Sequence, residues 1–248
     1  MSILENLSQK TAKIFKKKKN SICSVVIVAA GNSSRMGQDK TLMELGGIPV
    51  IVRTVKAFDD VESVGEIILV TKQSSIEELA DVVNSYKLTK VSKVIAGGAN
   101  RSESCLAGVS AVNKKSKLIA IHDGARPFVT KELIEDCIKS AEDYRAAVPG
   151  IKCNDTLRYY ENDFISGVID RNKVVRIQTP QVFEADIIKG ALTHVVENHI
   201  VVTDDSSAVD LLGIKSRIVD GDENNIKLTT PSDMVAAESI LKARGEII

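Results

Sequence analysis

A mainly parallel α/β sheet with helices on both faces, carrying a β-hairpin inserted late in the chain, is the fold class this sequence predicts. Three observations lead there. Short apolar, β-branched runs alternate with stretches of helical period between residues 23 and 143. Small-residue, glycine-bearing segments follow three of those runs. The alternation then fails near Gly150, and residues 151–182 have no good helical period.

Residues 23–30 (CSVVIVAA) have the pattern of a fully buried strand. Residues 42–45 read as a short strand turned by Gly46-Gly47. Residues 48–58 have helical spacing, with Pro49 tolerated in the first turn. Strands at 66–71, 93–96 and 117–122 are each paired with a helix, at 75–84, 101–112 and 130–143. Ser75 and Glu78 are set as a capping box. Parallel strands joined in this way take right-handed crossovers. Beyond the break, strand-like pieces at 156–160 and 164–169 flank a polar turn, Glu161-Asn162-Asp163. A lone hairpin is marginal in water. It should therefore pack on another surface, and a homodimer formed through residues 151–182 is the expectation. Helices at 185–197 and 204–212 follow, then strands at 216–219 and 225–228. The last helix starts at Pro231 with Thr230 as its cap. No repeat or low-complexity linker interrupts the chain, so residues 22–248 read as one domain behind a basic extension, residues 1–21.

Lys plus Arg equals Asp plus Glu, 33 each, in 248 residues. That neutral total argues against general nucleic-acid binding, which needs a basic face. The four cysteines, Cys23, Cys105, Cys137 and Cys153, are scattered without zinc-ligand spacing and read as free thiols in a reducing cytoplasm. His194 and His199 read as ordinary helix residues. No apolar run is long enough to span a bilayer. In the extension, Lys16 to Lys19 follow a weakly amphipathic stretch (Ile3, Leu4, Leu7, Ile14, Phe15), an order that is wrong for a secretory signal. A solvated extension is expected there, with a membrane-surface or partner contact as the weaker reading. The chain is expected to be cytoplasmic, without stable membrane association.

Four segments carry the chemistry. The first runs from Ala29 to Lys40, after the first strand, where ligands of open α/β sheets bind. It is not a Walker A loop, because Gly37 is not followed directly by Lys-Ser/Thr, and not GxGxxG, because Ser33 takes the second glycine position. It presents backbone N–H groups beside Arg35 and Lys40, which is what a polyphosphate requires. The second, Gly97-Gly98-Ala99-Asn100-Arg101-Ser102-Glu103-Ser104, lets backbone approach a flat base, and its hydroxyls can bond a base or ribose. The third, His122-Asp123-Gly124-Ala125-Arg126-Pro127, places a carboxylate at a strand end. Such a carboxylate can hold Mg²⁺ together with substrate phosphates. Arg126 can pair with phosphate or orient Asp123. The fourth, residues 225–231, carries Lys227 opposite Ile226 and Leu228 in an alternating run. Taken singly, each segment also fits a plain structural role: a tight turn with solvated cations, a helix cap, an Asp–Arg brace, a solvent-facing strand lysine.

Taken together and in order, AAG, RMG, DK, GGANRSES, HDGARP, TPQVF and NIKLT resemble the 2-C-methyl-D-erythritol 4-phosphate cytidylyltransferase family from about Val25 to the C-terminus. The resemblance implies a Rossmann-like nucleotidyltransferase sheet and transfer of CMP from CTP to methylerythritol phosphate, with Mg²⁺, in isoprenoid precursor synthesis. It further implies that Ala29, Ala30, Gly31 and Ser33 line the CTP site, with Arg35 and Lys40 on the triphosphate. Gly97, Gly98 and Ser104 would hold cytidine. Asp123 would meet Mg²⁺ and nucleotide, with Arg126 close by, and Lys227 would stabilise the α-phosphate and the incoming phosphate. Thr156 and Arg171, in the inserted arm, would reach the acceptor in the neighbouring subunit, and Thr203 would contact its phosphate. Three positions depart from the family pattern: Asp39 stands before Lys40 where proline is usual, Ala99 replaces an acidic residue that implies a ribose or base contact, and Gly124 replaces alanine. Two rival readings stay open at this point. A ribitol-5-phosphate cytidylyltransferase would share the nucleotide motifs, although Asp170-Arg171-Asn172 leans toward methylerythritol phosphate. An inactive nucleotide-binding regulatory protein would draw on the changes at Asp39 and Ala99.

Overall fold

A computed structural model describes residues 23–31 and 42–247. The basic extension, Ser33, Arg35, Asp39 and Lys40 therefore lie outside the described residues. Strand β1 (Cys23–Val28) pairs in parallel with β4 (Val64–Thr71) on one side and with β6 (Leu118–Asp123) on the other. Strand β5 (Val91–Ala96) adds to β4, again in parallel. At the edge, β5 exposes Ser92 and Lys93, whereas β1, β4 and β6 are largely apolar on both faces because helices cover both. Their alternation sorts the core. Val25 and Ile27 of β1, with Ile67 and Leu69 of β4, meet helices α1 (Val50–Asp59), α2 (Ile76–Ser85) and α4 (Lys131–Tyr144). Val26, Ile68 and Val70 point the other way, against α3 (Arg101–Ala111) and α5 (Ala185–Glu197). Gly108 lets α3 come down on β1, since a Cβ there would sit 2.3 Å from Val26 Cγ1.

The second half of the sheet is antiparallel at its centre. Strand β11 (Gln181–Glu184) lies between β6 and β7 (Ala146–Lys152), antiparallel to both. Farther along the same edge of β7, β10 (Val175–Ile177) pairs antiparallel, and β12 (Arg217–Asp220) pairs parallel on its other edge. Strands β8 (Leu157–Glu161) and β9 (Phe164–Ile169) form a separate two-stranded sheet. Asn162 and Asp163 turn it with φ of 50° and 66°, the paired positive φ of a type I′ hairpin. Five apolar side chains of this hairpin, from Tyr159 to Val168, are 61% to 78% exposed. Short helix α6 (Asp205–Asp210) and C-terminal helix α7 (Pro231–Ala243) complete the fold, α7 with a Thr230/Asp233 capping box.

Four expectations are corrected. Residues 48–49 are not helical: β2 (Glu44–Leu45) and β3 (Ile48–Pro49) form a small hairpin, and α1 begins at Val50 with Pro49 as its N-cap residue. Ser75 makes no cap bond, because it ends a 3₁₀ turn (Gln73–Ser75) at φ −109° and ψ 5° rather than in the extended cap conformation. Residues 225–228 join no sheet, because Leu228 N–H donates to the loop carbonyl of Ala125 at 2.9 Å instead of to a strand. His199 lies past the end of α5, with φ 52°.

Candidate active site

Strand order β6-β1-β4-β5 reverses direction at β1, with β4 and β5 laid down on one side and β6 on the other. Open α/β sheets bind ligands at such a switch point, beyond the carboxyl ends of the strands. A cavity of about 260 Å³ lies there. Three loops and one distant segment build it. Ala29, Ala30 and Gly31 follow β1, Gly98 to Arg101 with Ser104 follow β5, Asp123 and Ala125 close β6, and Lys227 arrives from the C-terminal segment.

The loop after β5 is held rigidly by its own side chains. Asn100 caps α3 by accepting from Glu103 N–H at 2.9 Å, while Glu103 accepts from Ala99 N–H at 2.8 Å. Ser104 Oγ accepts from Gly98 N–H at 3.1 Å and donates to Asn100 O at 2.8 Å, so its single hydrogen is already used. Gly97 extends the β5 ladder by donating to Thr71 O at 2.7 Å. A Cβ on Gly97 would lie 2.6 Å from Ser104 Oγ and 2.7 Å from Ala30 Cβ, so only glycine lets the loops after β1 and β5 close on each other.

A second cavity, of about 420 Å³, adjoins the first. It is lined by Arg126, by Ile177, Gln178, Thr179 and Gln181 around the start of β11, and by Thr203, Asp204, Ser206 and Ser207 at α6. Arg101, Asp123 and Lys227 line both cavities and so form their common wall. Lys227 Nζ lies 2.9 Å from Asp123 Oδ2, Arg126 Nε lies 3.4 Å from the same oxygen, and Arg101 Nη2 lies 3.8 Å from Oδ1. Burial alone would push the Asp123 carboxyl up. The three cations outweigh it and hold the group well below the usual carboxylate range, so Asp123 is an anion. Arg101 is itself gripped by the buried Asp205 through two bonds of 2.9 and 2.7 Å. Burial pulls the Arg126 guanidinium down, and Asp123 opposes that. Beneath the wall, burial lowers His122 to about 4 and leaves it neutral.

The family model of 2-C-methyl-D-erythritol 4-phosphate cytidylyltransferase matches residues 23–243. A curated relative of that name from Caldanaerobacter subterraneus is 43% identical over 223 residues, 88% of this chain and 98% of the relative. One from Alkaliphilus oremlandii is 37% identical over 227 residues, covering 90% and 96%. The solved 4-diphosphocytidyl-2C-methyl-D-erythritol synthase of Anaerococcus prevotii superposes with a TM-score of 0.80 at 29% identity, covering 90% of this chain and 97% of that one. The chain belongs to the 2-C-methyl-D-erythritol 4-phosphate cytidylyltransferase family. In this cytidylyltransferase the residues singled out in the sequence divide into three groups. Ala29, Ala30, Gly31, Gly98, Ser104, Asp123, Arg126, Thr203 and Lys227 line one or other of the two joined cavities. Gly97 lines neither and serves as the close-packing point behind the wall. Thr156 and Arg171 also line neither. Both are exposed in the region of the hairpin, with Arg171 donating to the Asn154 carbonyl. Ser33, Arg35 and Lys40 lie outside the described residues.

Sequence reasoning left Arg101 and Asp205 without a role in this cytidylyltransferase, although Arg101 stands in the GGANRSES motif and Asp205 lies two residues beyond Thr203. Asp204 and Gln181 were also passed over. Asp204 caps α6 by accepting from Ser207 N–H at 3.0 Å, and it takes Gln181 Nε2 at 2.8 Å. Among the described residues no cluster of three or more His, Cys, Asp or Glu could hold a metal ion. The donor set fits a magnesium ion of the substrate-carried kind, which needs one hard, ionised oxygen ligand and takes the rest from phosphate and water. Asp123 Oδ1, with Arg101 as its nearest cation at 3.8 Å, is the freer of the two oxygens.

Proposed function

We propose that this chain transfers CMP from CTP to 2-C-methyl-D-erythritol 4-phosphate, releasing pyrophosphate. The observation that carries the reading is the common wall: Lys227, Arg101 and Asp123 border two cavities at once. One cavity, walled by main chain and small residues, suits a nucleotide. The other, rich in hydroxyl and amide side chains, suits a phosphorylated polyol. A phosphate oxygen of the acceptor attacks the α-phosphorus of CTP, a new P–O bond forms there, and the bond to the bridging oxygen breaks. The attacking oxygen is already an anion, so the site needs no strong general base. Its task is electrostatic, because two polyanions must meet.

Lys227 stands where the two anions would touch, and its ammonium stabilises charge on the attacking and α-phosphate oxygens. Ala29, Ala30, Gly31 and Gly98 present backbone to the nucleotide. Arg126 and Thr203 face the acceptor's phosphate. Arg35 and Lys40 are assigned to the triphosphate by the family resemblance. Asp123 holds Mg²⁺, which when bound neutralises charge on the phosphate oxygens. Thr156 and Arg171 serve the partner subunit's acceptor cavity, in a homodimer built through the inserted arm, residues 151–182. The exposed apolar hairpin supports that assembly. Four unpaired cysteines accord with a cytoplasmic setting, and no described helix is long and apolar enough to cross a membrane.

Product identification tests the reading. The chain, CTP and Mg²⁺ are incubated with methylerythritol 4-phosphate or with ribitol 5-phosphate. CDP-methylerythritol and pyrophosphate are the expected products. CDP-ribitol alone would reassign the acceptor, and no pyrophosphate with either alcohol would return the chain to the nucleotide-binding regulatory class.

A further inference from the structure

We infer that His122 is a positioning residue of this reaction, acting through Thr179 on Asp123 and through the Arg126 main chain on the cation facing it. The inference rests on the cytidylyl-transfer reading above. His122 precedes Asp123 on β6, so its side chain faces the opposite way. It is fully buried and lines neither cavity. The ring edge packs on Phe58, with centroids 4.8 Å apart and planes at 65°.

Hydrogen-bond roles around the ring can be assigned one by one. Nε2 lies 3.1 Å from the Arg126 carbonyl, which only accepts, so Nε2 carries the hydrogen. Nδ1 lies 3.0 Å from Thr179 Oγ1. With the ring hydrogen on Nε2, Nδ1 of the neutral ring accepts the Thr179 hydroxyl hydrogen, while Oγ1 accepts from Asp123 N–H at 3.1 Å. One neutral tautomer therefore satisfies every group. The bonds then close into a ring of residues. Arg126 Nη1 donates to Asn225 O at 2.7 Å, and Asn225 Nδ2 donates to Thr179 O at 2.9 Å. Lys227 is two residues beyond Asn225. The imidazole closes a ring of bonds that spans three segments remote in sequence, from which Asp123, Arg126 and Lys227 project. Outer partners of this kind typically change rate about 10- to 100-fold when removed.

Thr179→Val removes the hydroxyl at nearly constant volume, and Thr179→Ser keeps it. Parent and variants are assayed with CTP, Mg²⁺ and acceptor, their melting temperatures are recorded, and the ring tautomer is read by ¹⁵N NMR. The parent ring should be neutral and protonated on Nε2. Thr179→Val should lower kcat about 10- to 100-fold with both KM values changed by less than about threefold, while Thr179→Ser stays within about twofold of the parent. Should Thr179→Val fold poorly, His122→Asn, which keeps at most one of the two ring bonds, carries the same kcat test. An active parent with a ring protonated on Nδ1 would overturn the inference. So would a folded Thr179→Val that loses melting temperature but keeps kcat within about twofold. An inactive parent would instead overturn the transfer reading.

Discussion

The two joined cavities are built from different materials. The cavity proposed for the nucleotide is lined largely by small residues at the ends of parallel strands, of which β1, β4 and β6 are buried on both faces. The cavity proposed for the acceptor is walled by side chains from the antiparallel insertion and from the start of the short helix α6. Main chain anchored in the core is hard to alter by mutation, whereas side chains are exchangeable. On the proposed assignment of the two cavities, nucleotide recognition belongs to the fold and acceptor recognition to its decoration. The two meet at Arg101, Asp123 and Lys227.

The sharpest way to break that division is at the meeting point. Lys227→Ala should lower kcat by about 10²–10³, or about 3–4 kcal/mol, with folding intact. Near-normal turnover would remove Lys227 from the chemistry, and Lys40→Ala allows the same test for the triphosphate side. Asp205→Ala should come next, since it leaves Arg101 without its buried partner. Unfolding in urea should show a loss of about 3 kcal/mol, at the low end for a broken buried pair because Arg101 is 32% exposed. A loss under about 1 kcal/mol would mean that the pair ties nothing together.

Smaller effects separate the halves. Tyr160→Asp with Phe164→Asp should turn a sedimenting dimer into a monomer while costing the chain itself less than about 1 kcal/mol. A monomeric parent would end the arm's assigned part. Arg171→Ala should raise KM for the phosphorylated alcohol, and a rise confined to CTP would contradict its place beside the acceptor. Least of all, burial pushes the Cys23 and Cys137 thiols up to about 12 and raises Cys105 as well, so these core thiols should resist alkylation at mildly basic pH. Mass mapping of the native protein should find Cys153, in the arm region, modified first.

The same contrast governs what the sequence made legible. In the parallel half, β-branched runs and glycine turns located β1, β5 and β6 within a few residues, and α5 was read at its observed bounds, Ala185–Glu197. In the other half β7 went unread, because Pro149-Gly150 sits in its middle and proline argues against a paired strand. Pairing with β12 on one edge and β11 and β10 on the other holds it in the sheet regardless. Residues 225–228 alternate like a strand, yet that spacing serves a loop whose partners are Ala125 and Arg126. Asp123 and Lys227 could be picked out because each stands in a family motif, HDGARP or NIKLT, even though their 2.9 Å contact joins segments remote in sequence. No motif gave Arg101 or Asp205 a role, and their pairing across 104 residues is made only by the tertiary fold.

The clasp between Arg101 and Asp205 also sets a rule for redesign. It fastens the first turn of α3, beside the cavity proposed for CTP, to the first turn of α6, beside the cavity proposed for the polyol. A library meant to accept another sugar-alcohol phosphate should therefore randomise Thr203, Ser206 and Ser207 and leave positions 101 and 205 untouched. Variants that loosen the clasp would trade a new acceptor for poorer use of the old donor.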